Sequence, residues 1–98
     1  MKAKKFCVVA LIYNNGEREN HIVYNRRDVV EKANYLIQCC RLRKINAEVI
    51  TTFIRLKDTN CTEQDFFNGK AEIEYEYVEE IVKINFPNNE KKPLQNLE

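Results

Sequence analysis

The chain has 98 residues, 44% of them hydrophobic and 32% charged, with a formal net charge of +1. That length holds one domain with one modest core, and that composition belongs to a folded chain and not to a disordered one. Near-neutrality excludes whole-molecule electrostatics as a basis for holding nucleic acid or an anionic membrane, leaving only local clusters of charge for such work.

Lys2, Lys4 and Lys5 precede the apolar run Phe6-Cys7-Val8-Val9-Ala10-Leu11-Ile12-Tyr13. The run stops at Asn14-Asn15-Gly16, with no small residues at a cleavage position, so it reads as a strand and not as a signal peptide. A bilayer span needs about 20 apolar residues, far more than this run supplies. The expected location is cytoplasmic, with no membrane partner. Both alternating sets of the run are apolar, as in a strand inside a sheet with both faces covered. Asn14-Asn15-Gly16 is a hairpin signal, because Asn and Gly tolerate the positive φ of a type I′ or bulged turn. The return strand, from about Arg18 to Tyr24, is more polar, as an edge strand would be.

Asn25 is a good helix N-cap, and Asp28 stands where a capping-box acid would. Tyr24 and Val29 flank the cap at the spacing of a hydrophobic staple. Val29, Ala33, Leu36, Ile37 and Cys40 then form one apolar stripe at helical spacing, which predicts a helix over 26–45. Arg41, Arg43 and Lys44 fall in its last turns, where cations suit the negative end of the helix dipole. Asn46 turns the chain into Ala47–Lys57, rich in β-branched residues and read as a third strand. Thr62 is placed to cap a short helix through Glu63-Gln64-Asp65-Phe66-Phe67, ending near Asn68-Gly69, with the two phenylalanines lidding one end of the core.

Residues 71–86 carry two periods. Glu72, Glu74 and Glu76 alternate with Ile73, Tyr75 and Tyr77, while Ile73, Tyr77, Ile81 and Ile84 also fit a helix. A long strand with a bulge near Tyr77–Glu79 is the expectation, with a helix as the alternative. The fold class is therefore α+β: ββαβ(short α)β, a mostly antiparallel four-stranded sheet with one main helix packed on one face. Residues 1–87 form the domain, and 88–98, without periodicity, form a flexible C-terminal tail. Many unrelated functions share such a fold, so function has to be read from sites.

Chemistry is sparse. His21 is the only histidine and has no Ser or Cys beside it in an activating motif. Gly16 and Gly69 are the only glycines, so there is no phosphate cradle. Cys7, Cys39, Cys40 and Cys61 include no C-x-x-C pair, so no metal site is expected. Cys7 and Cys40 read as core, and Cys61 as the exposed thiol. No catalytic residue is assigned, and no cofactor is expected.

Two charged sets remain. The first is an acidic strip, Glu72, Glu74, Glu76, Glu79 and Glu80. On a regular strand the first three would project from one face about 6.5–7 Å apart, close to the pitch of phosphates along a nucleic-acid strand. Against this stands its reading as a solvated sheet face that guards an edge. Tyr75 and Tyr77 would then lie on the opposite face, as core beneath the helix. The second set is basic: Arg26 and Arg27 open the helix, and Arg41, Arg43 and Lys44 close it about 22–27 Å away. Either end offers two or three phosphate contacts, enough for weak, salt-sensitive binding. Tyr13, Tyr24 and Tyr35 sit on different elements and make no stacking motif.

The expected function is that of a small non-enzymatic protein-binding module using the acidic strip. Richness in Asn, Lys and Ile with no Trp fits an AT-rich genome, such as that of a low-GC bacterium, its phage or a mobile element. That points to an inhibitor of a host nucleic-acid-handling or defence enzyme, of the anti-CRISPR type. The alternatives are a weak nucleic-acid binder using the helix-end cations, and a small-ligand or nucleotide-binding domain formed across a homodimer.

Overall fold

A computed structural model describes residues 4–87. The elements follow in the order β1 (Lys4–Tyr13), β2 (Arg18–Val23), α1 (Arg26–Arg43), β3 (Ala47–Leu56), α2 (Glu63–Phe67) and β4 (Ile73–Ile84). The strands form one antiparallel sheet in the order β2-β1-β3-β4. The α+β fold is thus the expected one, with one main helix, and residues 71–86 resolve to a strand. The tail assigned to 88–98 lies outside the described residues.

The hairpin turn is the bulged kind. Tyr13 donates its N–H to Glu17 O at 2.8 Å and accepts from Gly16 N–H at 2.9 Å. Gly16 sits at φ +94°, where a side chain would be strained. Asn25 caps α1 by accepting the Asp28 N–H at 2.8 Å, while Asp28 answers on the Asn25 side-chain amide, also at 2.8 Å. The staple does not form. Tyr24 is exposed, and its phenol donates to Glu63 of α2, whereas Val29 is buried under α1. The helix ends two residues earlier than its pattern predicts. Lys44 takes a left-handed conformation at φ 55°, donating to Arg41 O, and Ile45 donates to Cys40 O, which together close the last turn. Thr62 and Asp65 form a full capping box for α2.

Because β1 is central, its two apolar sets serve two cores. Cys7, Val9 and Leu11 pack with Val29, Ala33, Leu36 and Cys40 of α1. Phe6, Val8 and Ala10 face the other way and gather Ile54, Leu56 and, from the α2 region, Phe66, Phe67 and Cys61. Phe66 meets Phe6 edge-on at 5.6 Å and Phe67 at 5.2 Å. The short helix therefore does lid one end of the sheet, on the side away from α1. Cys61 is half-buried against that cluster and not an exposed thiol.

Candidate protein interface on the outer strand

β4 pairs with β3 through two register shifts, one opposite Thr51/Thr52 and one opposite Arg55/Leu56. The extra residues are Glu79 and Glu74. The bulge expected near Tyr77–Glu79 is present; the one at Glu74 carries no Gly or Asn to announce it. A bulge re-aims side chains, and here it sends carboxylates to the α1 side of the sheet. Glu79 accepts from Arg26 at 2.9 Å, and Glu74 lies 3.5 Å from Arg55 Nε, an atom otherwise without a hydrogen-bond partner. Glu72 precedes the strand and lies 3.9 Å from Lys57. Glu76 stands opposite Ile54, on the side away from α1, and Glu80 opposite Thr51, on the α1 side. The ladder of three carboxylates on one face is thus broken by the bulges. Among the described residues only Glu76 and Glu80 of the strip make no ion pair.

The tyrosines also depart from expectation. One row crosses the sheet as Val23, Cys7, Phe53 and Tyr77, and the next holds Lys5, Arg55 and Tyr75. α1 begins at the first of these rows, with the Arg26 guanidinium 4.7 Å above the Phe53 ring. The second row is beyond the helix start and has no roof. Tyr75 is accordingly 37% exposed and Tyr77 49%. They are not core. Phe53 stacks on Tyr77 at 5.6 Å, and Tyr75 adjoins Tyr77 at 5.7 Å. The result is an open aromatic patch edged by Arg26, Arg55, Glu74 and Glu79, a composition typical of interface anchors. Phe53 and Arg55 belong to it and were absent from the sequence reading. Their place follows from the pairing of β3 with β4, which no local pattern encodes.

The basic set does not gather. Arg26 is held by Glu79, and Arg27 lies 3.8 Å from Glu31. Arg41, Arg43 and Lys44 are exposed at the other end of α1. Among the described residues, two of the open grooves bring polar and aromatic side chains together. One, of about 520 Å³, runs between β2 and α1 and brings Tyr24 and Tyr35 together with Ile22, Asp28, Glu31 and Lys32. The other, of about 410 Å³, lies at the hairpin end beside Asn14, Asn46, Glu48 and Lys83. Neither is lined by a Ser, Thr, Cys or His. His21 Nε2 lies 3.4 Å from Glu19, which also accepts the Tyr13 phenol at 2.8 Å. Burial pushes the Cys7 and Cys40 thiols up, and burial with Asp58 and Asp65 does the same for Cys61, the reverse of what activates a thiolate. Among the described residues no three His, Cys, Asp or Glu side chains are grouped to hold a metal, and no helix is long and apolar enough to cross a membrane.

No protein-family model, curated protein or solved structure matches this chain.

Proposed function

We propose that this protein acts by binding another protein through β4 and the tyrosine patch beside it. One observation carries the reading. Of the ten large hydrophobic side chains exposed among the described residues, five lie on β4: Ile73, Tyr75, Tyr77, Val78 and Ile81. They flank the strand on both faces, Tyr75 and Tyr77 on the α1 side and Ile73, Val78 and Ile81 on the other, and apolar exposure gathered along one outer strand is retained where a partner covers it. Tyr and Arg anchors among carboxylates suit a protein surface better than a nucleic acid, whose phosphates Glu72, Glu74, Glu76, Glu79 and Glu80 repel. The partner surface is basic, as in the grooves of nucleic-acid-handling enzymes. On this reading the protein is a non-enzymatic inhibitor of such a host enzyme, of the anti-CRISPR type. It would be carried by a phage or mobile element and act in the cytoplasm, where its target works.

Affinity capture from host lysate, with and without nuclease, tests this. The expected result is a nuclease-resistant partner that is lost with Tyr75→Ala/Tyr77→Ala and with Glu72, Glu74 and Glu76 reversed to Lys, yet retained with Arg41→Glu/Arg43→Glu. Capture that needs nucleic acid and fails with the arginine variant instead establishes the nucleic-acid reading. The groove-blocking step has its own check, competition between this protein and the partner's nucleic acid. A stable ternary complex of all three rules it out.

A further inference from the structure

The backbone of β4 says more than its side chains about how a partner would engage it. In an antiparallel sheet, the N–H and C=O of successive residues point alternately to the two neighbouring strands. The Tyr13–Glu17 hydrogen bond assigns the odd-numbered residues of β1 to β2. Its even-numbered residues therefore bond to β3, and the odd-numbered residues of β3 bond to β4. The bond from Lys57 N–H to Glu72 O at 3.0 Å agrees with this assignment. Inward-facing backbone then belongs to Tyr75, Tyr77, Glu80, Val82 and Ile84. The residues whose backbone faces outward are Ile73, Glu76, Val78, Ile81 and Lys83. Among the described residues β4 has no neighbour on that side. The outward set falls into two regular stretches, Glu76 with Val78 and Ile81 with Lys83, separated by the bulge at Glu79. Val78 and Ile81, each 52% exposed, stand beside these free groups.

We infer that the free edge of β4 is a strand-docking site, on which an extended, basic segment of the partner adds as a fifth strand. The inference rests on the protein-binding reading. Main-chain bonds to the outward groups supply the affinity in such docking, and alternate side chains supply the specificity. Charge selects the occupant. A second copy of β4 laid along residues 72–80 sets glutamate rows against each other, which opposes self-pairing. A segment with lysine or arginine at alternate positions turned to the α1 side meets Glu80, which makes no ion pair among the described residues, while its apolar positions, on the other face, rest on Val78 and Ile81.

The probe is a capped synthetic peptide alternating valine and lysine, with its valine–glutamate counterpart as control, added to the full chain. Amide hydrogen exchange is then followed residue by residue. The lysine peptide should slow exchange at Glu76, Val78, Ile81 and Lys83 by about tenfold or more. It should leave Tyr77, Val82 and Ile84 unchanged, and the glutamate peptide should do nothing. Glu80→Ala removes the carboxylate facing the lysines and should weaken binding modestly, whereas Glu76→Ala, which keeps the outward amide, should leave binding unchanged. Glu76→Pro removes that amide without touching the bonds to β3, and should abolish binding. If the proline variant does not fold, Ile81→Lys carries the test through charge, and should weaken the lysine peptide and not the control. Absence of edge protection overturns strand docking. Where the tyrosine variants still lose the captured partner, that absence leaves the protein-binding reading standing; where they do not, both fall. Protection of the same amides by self-association, without peptide, gives the edge to a second copy and also overturns the inference.

Discussion

Phe66→Ala asks whether the side of the sheet away from α1 is a core in its own right. Phe66 is half-buried, so truncation forfeits about half of the 3–5 kcal/mol lost with a fully buried phenylalanine, or about 1.5–2.5 kcal/mol. It also ends the edge-on pairs with Phe6 and Phe67, each worth about 0.5–1.5 kcal/mol beyond area. These terms overlap, and the expected loss is about 2–4 kcal/mol. Urea unfolding with a common m-value is the assay, since a changed slope would signal an altered denatured or native state. Leu42→Ala is the control: a large apolar side chain 82% exposed on α1, whose loss should cost about 0.5 kcal/mol or less. A loss under about 0.5 kcal/mol for Phe66→Ala would mean that α2 does not seal the sheet. In that event Phe6, Ile54 and Leu56 would be open to solvent, and the partner surface would have to be sought there and not on β4.

Leu36→Ala, mid-stripe on α1, should cost about 2–5 kcal/mol and the exposed Gln38→Ala less than about 0.5 kcal/mol; equal losses in denaturant melts would put the helix phase in error. Asn25→Ala should lower stability by about 1 kcal/mol through loss of the N-cap, and an unmoved unfolding midpoint would refute the cap. Lys44→Gly should raise stability by about 0.5–1 kcal/mol, because glycine takes the left-handed conformation without the side-chain cost; a lower melting temperature would contradict it. The Glu63 carboxyl is held below the usual carboxylate range, first by the Tyr24 hydrogen bond and then by Lys4. Its contribution is therefore full above the ordinary value of about 4.3 and is lost as pH falls through the lowered folded value. Tyr24→Phe should flatten the acid limb of stability against pH, and parallel limbs for the two proteins would sink the assignment.

The acidic, aromatic segment 71–86 marks how far this sequence can be read alone. Its period of two, and the β-branched run before it, predicted a strand and a bulge near Glu79, both of which the fold contains. The caps at Asn25 and Thr62, the bulged turn at Gly16 and the two-sided β1 were legible for the same reason: each depends on residues within a few positions of one another. The helix end was misjudged because Arg43, Lys44 and Ile45 are all compatible with a helix, and only a closing pair of backbone bonds stops it at Lys44. Cys61 was misjudged because its burial depends on a cluster assembled from β1, β3 and α2.

The candidate interface was decided by tertiary structure. Whether Tyr75 and Tyr77 are core or surface depends on where α1 begins across the sheet, some fifty residues away in the chain. Whether Glu72, Glu74 and Glu76 form a ladder depends on the bulge at Glu74, which exists only against Arg55 and Leu56 of β3. Local sequence determines element type, cap and turn because those interactions close within one or two turns of chain. It does not determine which face a partner element leaves bare, because that is set by side chains meeting across long loops.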